Sequence, residues 1–157
     1  MKASIGAALR QHDSGFTLVE LVVVIVIMGV LAAFAVPRFS NMSAEARTAS
    51  VEAQLGSARS AGALAHSLSL TQQIGPNAPV TMEGAAVTML NRYPDAPGVV
   101  TSANLDTTNF QTLPVFGNLV LLVWANDTPG WTSCGFAYIR AAPGLAPTYL
   151  GPNTGFC

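Results

Sequence analysis

Apolar positions follow three rhythms along this chain. From Phe16 to Val36 they run almost without interruption, "FTLVELVVVIVIMGVLAAFAV", and Glu20 is the one ionisable side chain among them. A helix rising about 1.5 Å per residue carries this run across roughly 32 Å, about the thickness of a bilayer's hydrocarbon core. Val and Ile favour strands in water, but lipid requires every backbone polar group to be paired within the segment, so the run is predicted to be a helix. Gly29 and Pro37 weaken it in two places: glycine raises the entropy cost, and proline removes a donor and clashes one turn back.

Beyond Pro37 the rhythm becomes helical and one-sided. Val51, Leu55, Ala58, Gly62 and Ala65 recur at helical spacing, while Glu45, Glu52, Arg59 and His66 fall seven apart on another face. This predicts the same helix continued into water over residues 37–73. "IGPNAP", from Ile74 to Pro79, punctuates its end. The third rhythm is a series of short β-type runs in 74–157: "VTM" at 80, "AVTML" at 86, "LVLLVWA" at 119, "CGFAYIR" at 134 and "PTYL" at 147. "NDTPG" at 126 reads as a turn, and Ser102 to Phe110 as an added helical turn.

Composition narrows the class. The chain has 157 residues and a formal net charge of −1, so it suffices for one domain and carries no basic footprint for nucleic acid. The leader "MKASIGAALRQHDSG" is polar and bears Lys2 and Arg10, which would hold it on the cytoplasmic side. A secretory signal places its apolar region before the cleavage site. Here the order is inverted, and a cut after Gly15 would leave the apolar run on the mature protein. Cys134 and Cys157 lie beyond the run, where export would favour a disulfide over free or intermolecular thiols. Closing that proline- and glycine-rich segment is worth roughly 3 kcal/mol in the chain-entropy picture.

Candidate chemistry is sparse. His12 lies in the leader and His66 reads as a solvated helix residue, and no Ser, His and acid set, CxxC pair or HExxH run is present. No catalytic residue and no cofactor are expected. Asp95, Asp106 and Asp127 are scattered acids without the spacing of a calcium loop, so no metal is expected either. The Asn41 and Asn126 sequons are weak signals. That leaves Glu20, because an ionisable side chain at the centre of a membrane helix costs about 2.5 to 3.5 kcal/mol on insertion scales.

"GFTLVELVVVIVIMGVLAAFAVPRF" resembles the class III signal and N-terminal helix of type IV prepilins and the related pseudopilins. It combines a glycine before Phe, then Thr and Leu, a glutamate fifth after the cut, and a proline at the helix exit. "LNRYPDAPG" and the cysteine pair resemble the mannose-sensitive haemagglutinin type among type IVa pilins, although "NRYP" departs from the glycine expected before the tyrosine. The resemblance implies an α+β pilin fold: a long N-terminal helix, membrane-spanning over 16–36 and then amphipathic, packed on a small antiparallel sheet with a disulfide-closed C-terminal loop. It also implies that a prepilin peptidase removes residues 1–15 between Gly15 and Phe16 and methylates the Phe16 amine. Glu20 would then neutralise the amino terminus of a neighbouring subunit. The alternative for Glu20 is a chance glutamate snorkelling to the interface.

For Gly29 and Pro37 the alternatives are a helix that loosens between them on packing and a plain kink. The small residues from Ala44 to Ser67 either let helices approach in a bundle or pack on the chain's own sheet, on different faces if both hold. The implied function is a structural, non-enzymatic subunit of a surface filament for adhesion or motility. Its expected partners are copies of itself and other pilins, the peptidase, an inner-membrane assembly platform and the bilayer. Its expected place is the inner membrane of a Gram-negative bacterium, single-pass with a periplasmic C-terminal part, and then the pilus. A type II secretion pseudopilin and a membrane-anchored periplasmic binding domain are the alternatives.

Overall fold

The computed structural model describes residues 16–157. A single helix, α1, runs from Leu18–Thr71. It is followed by β1 (Val80–Met82), β2 (Ala85–Val87), β3 (Met89–Leu90), β4 (Tyr93–Pro94), α2 (Ala96–Ser102), β5 (Phe110–Val115), β6 (Val120–Ala125), α3 (Trp131–Cys134), β7 (Gly135–Ile139) and β8 (Thr148–Asn153). The chain divides into two units at Ser40 and Asn41, so one holds the apolar part of α1 and the other holds the rest. The class is α+β, a long helix with small antiparallel sheets.

In the second unit the predicted stripe is the buried one. Val51, Leu55, Ala58 and Ala65 are buried, and Glu45, Glu52 and Arg59 are exposed. The helix ends by tightening: Gln73 N–H donates to Leu70 O at 3.1 Å, and Gln73 itself turns left-handed at φ 52°. Val51, Leu55, Ala58 and Ala61 share one core with Leu121, Val123, Phe136 and Tyr138 of the sheet. A second cluster joins Ala65 to Val80, Val87 and Met89 of the hairpins.

The sheet is an antiparallel meander in the order β5-β6-β7-β8. Strand β6 alternates strictly, with Leu121, Val123 and Ala125 buried and Val120, Leu122 and Trp124 half-buried, as a strand with only one covered face should. Both edge strands contain a proline, Pro114 in β5 and Pro152 in β8, which removes ladder donors where another strand would add. Two short hairpins precede the sheet. Each closes through a two-residue turn with both residues at positive φ: Glu83 and Gly84 (50° and 82°), then Asn91 and Arg92 (53° and 69°). That is the primed geometry that matches strand twist.

Two expectations are corrected. The extra helix is not at Ser102–Phe110 but earlier, at Ala96–Ser102, where Asp95 caps it by accepting from Gly98 N–H at 2.8 Å and a proline sits in the first turn. Phe110 instead opens β5, an edge strand whose proline disguised it. Gly98 is required where it stands, because a Cβ there would lie 2.1 Å from Thr88 O. Tyr138, fully buried, donates its hydroxyl to Pro94 O and so ties β7 to the second hairpin; burial holds its phenol well above the usual range.

Two serines of α1 make a test of polar bookkeeping. Ser57 Oγ donates to Ala103 O at 2.9 Å, whereas Ser69 Oγ is buried without a partner. Ser57→Ala should therefore destabilise the chain by about 1 kcal/mol, and Ser69→Ala should be neutral or stabilising by up to about 1 kcal/mol. Thermal unfolding of the detergent-solubilised protein reads both, and a clear loss from Ser69→Ala would contradict the assignment.

Candidate assembly site on the amino-terminal helix

Leu18–Val36 is long and apolar enough to cross a membrane, and none of it is buried within the chain. Leu18, Val19, Ile25, Met28, Leu31 and Phe34 are all exposed, as is Phe16, at 77%. A helix apolar all round has no face that belongs to water, so lipid or other protein must cover it.

Glu20 sits in the first turn and is not idle there. Its Oε2 accepts from Thr17 N–H at 2.9 Å and from Thr17 Oγ1 at 2.7 Å, while Thr17 Oγ1 accepts from Glu20 N–H at 3.2 Å. These contacts form a capping box, which satisfies donors at the helix start that have no intrahelical partner. The sequence carried the signal, Thr17-Leu-Val-Glu20, but reading Glu20 as a buried charge passed over it. A carboxylate in the first turn also favours the positive end of the helix dipole.

Gly15 and the leader lie outside the described residues. Helix α1 continues through Gly29 and Pro37, and no atom of the chain lies within 4 Å of where a Cβ on Gly29 would sit. Cys134 and Cys157 are bonded, with Cα atoms 4.9 Å apart. The end of that loop is held to α1 by Arg47, whose Nη1 donates to Cys157 O at 3.2 Å.

His66 is not a solvated residue. It is half-buried and stacks on Tyr93 with centroids 4.1 Å apart, and its Nδ1 lies 3.0 Å from Arg92 O. That carbonyl can only accept, so Nδ1 carries a proton. The missed signal was the hairpin at Asn91–Arg92, which brings Tyr93 back onto the helix. Asp95 is used as a cap. Asp106 accepts from Asn109 Nδ2 at 2.7 Å and from the N–H groups of Thr108 and Asn109 at 2.8 and 3.2 Å, and these bonds, the Asn109 side chain first, hold its carboxyl below the usual range. Among the described residues no group of three His, Cys, Asp or Glu side chains is placed to hold a metal ion.

Residues 10–36 match the prokaryotic N-terminal methylation motif. Over 55 residues the chain is 53% identical to the type IV narrow pilus major component of Thermus thermophilus, a match covering 35% of this chain and 47% of that one. Over 53 residues it is 38% identical to a type IV major fimbrial protein of Dichelobacter nodosus, 34% of each chain. The chain thus spans about half the length of the first relative and a third of the second. No solved structure matches it. In its amino-terminal third this chain is similar to type IV pilins.

Loss of the Cys134–Cys157 bond should cost roughly 3 kcal/mol, the chain-entropy value for a loop of this size. Cys134→Ser compared with wild type in urea measures it, and an unchanged midpoint would show that the Arg47 contact and the sheet hold the loop unaided.

Proposed function

We propose that the chain is a structural subunit of a type IV pilus, held in the inner membrane by Leu18–Val36 with the second unit in the periplasm, and then assembled with copies of itself and other pilins. The observation that carries this reading is an apolar helix with none of its surface buried, joined to a folded unit and bearing one carboxylate a turn from Phe16. Both relatives are named as major subunits of filaments, which supports a structural and not an enzymatic role. A prepilin peptidase would cut between Gly15 and Phe16, and an inner-membrane platform of a Gram-negative cell would extract each subunit from lipid.

The pairing of Glu20 with the methylated Phe16 amine of a neighbour follows from cost. Each charge is expensive in an apolar setting and tolerable when paired, so a subunit added at the wrong depth leaves both uncompensated. A stripe on the second half of α1 serves the same packing: Ala49, Ala53, Gly56, Ser60, Ala63 and Ser67 are exposed and recur at intervals of three and four, so a neighbouring helix can approach closely. Gly29 and Pro37 would let α1 loosen between them as the subunit leaves lipid, since both are weak helix formers.

The mature chain should begin at Phe16 with a methylated amine. Mass spectrometry of sheared filaments tests it, and an intact Met1 would defeat the reading.

Substitutions at Glu20 separate its two tasks. Glutamine keeps the acceptor that the capping box needs and removes the charge, whereas alanine and valine remove both. If charge pairing sets the register, all three variants should insert in the membrane and lose assembly, because truncating one partner of a buried pair costs about 3 to 5 kcal/mol at each subunit added. The ratio of this protein in sheared filaments to that in the membrane measures it. Wild-type yield from Glu20→Gln alone would assign Glu20 to the cap, and wild-type yield from all three would make it a passenger.

A further inference from the structure

The second hairpin turns on an unusual pair of residues. A two-residue turn with both residues at positive φ favours Asn-Gly, since glycine enters that region without a steric penalty. Here the pair is Asn91 and Arg92, at φ 53° and 69°. A bulky side chain stands where glycine is favoured, and strain of this kind persists where the surroundings hold the residue to a task.

Arg92 lines a cleft of about 510 Å³ together with His66, Asn91, Tyr93, Pro76 and Leu145. Three ties build it. Arg92 N–H donates to Pro76 O at 2.6 Å and its Nη1 to Ile74 O at 3.2 Å, which fastens the hairpin to the loop after α1. His66 Nδ1 donates to Arg92 O at 3.0 Å, which fastens it to α1, and Asn91 Nδ2 donates to Ala141 O at 2.9 Å, beyond β7. These bonds leave three groups over. Among the described residues the Arg92 guanidinium meets only that one carbonyl, so its other donors are unused, and no residue lining the cleft is acidic. Asn91 keeps its Oδ1, and His66 keeps Nε2, an acceptor in the neutral ring. Pro76, Pro143 and Leu145 supply the apolar part of the wall.

We propose that this cleft binds a small hydroxylated carboxylate, the chemistry of a single uronic-acid unit. Arg92 takes the carboxylate through its unused donors, where no neighbouring acid competes. Asn91 Oδ1 and His66 Nε2 accept from ring hydroxyls, and the prolines and Leu145 cover the C–H face of the ring. The volume agrees, since small-molecule sites run from about 300 to 1,000 Å³ and combine an apolar wall with a few placed polar groups. A neutral sugar leaves the guanidinium without its anion, and a bare carboxylate leaves the two acceptors and the wall uncovered. Helix, hairpin and loop are already bonded together, so little freedom is lost on binding. All these residues lie in the second unit, and the site does not depend on the pilus reading.

Calorimetric titration of the detergent-solubilised full chain with glucuronate tests the site. A ligand of this size should bind with a Kd on the order of 1 mM. Glucose, acetate and inorganic phosphate should each bind at least about tenfold more weakly. Arg92→Gly should unfold near the wild-type temperature, because the turn favours glycine and this offsets the lost bond to Ile74, yet its affinity for glucuronate should fall about tenfold or more. Leu145→Asp changes a residue 65% exposed, so it should fold as wild type and repel the ligand to a similar loss. Acetate or phosphate binding as tightly as glucuronate overturns the proposal, since the cleft is then a general anion spot. Unchanged affinity in Leu145→Asp overturns it whether or not Arg92→Gly folds, and so does the absence of saturable glucuronate binding up to about ten times the expected Kd.

Discussion

One helix carries two surface patterns, apolar all round and then one-sided, and the other features follow from that constraint. From Leu18 to Val36 α1 offers no polar face, so its backbone bonds close within the helix and its side chains need lipid or protein around them. From Val51 onward the same helix offers a stripe of small and branched apolar side chains on one side and charges on another. Between them, at residues 37–50, the pattern changes, and the chain divides into two units within that stretch, at Ser40 and Asn41.

The second unit depends on that stripe. The four-stranded sheet covers one face with Val51, Leu55, Ala58 and Ala61, and the hairpins close on Ala65. These helix residues are small, so the sheet supplies the bulk: Phe110, Leu121, Phe136 and Tyr138 fill the space that alanines leave. Tyr149 reaches the helix from the edge strand, donating to Ala58 O at 3.3 Å under the Arg59 guanidinium. Polar ties then fix what apolar packing leaves free to slide, through Ser57 to Ala103 and Arg47 to Cys157.

Legibility tracked how local each signal was. The span, the buried stripe and the strands at 80, 120, 135 and 148 were readable because uninterrupted apolarity and a period of 3.6 or 2 are properties of short windows. Strand β5 was not, since Pro114 reads as a breaker until the strand is known to lie at an edge. Helix α2 was missed although Asp95 and Pro97 spell a capped start, because seven residues are too few to show a period. The partnership of His66 with Tyr93 joins residues on different elements and depends on a turn with two non-glycine residues at positive φ. The cleft at Arg92 is likewise a property of the fold: Pro76, Arg92 and Leu145 look unrelated until the hairpin and the loops are brought together.

At Glu20 the structure shows a carboxylate that closes the helix start, and this is compatible with the pairing proposed above. The contacts to Thr17 fall on Oε2, and an ionised carboxylate has two oxygens and about four lone-pair sites. The carboxylate can therefore close the start of its own helix through one oxygen while the other meets an ammonium from a neighbour. Holding Oε2 against Thr17 fixes the rotamer before the partner arrives, which lowers the side-chain entropy that pairing would otherwise lose. In lipid the same capping box lessens the cost of an unpaired carboxylate by satisfying part of it within the first turn. Under the proposed pairing the carboxylate is partly compensated before assembly and more fully after it, which favours the assembled state without preventing the membrane-bound one.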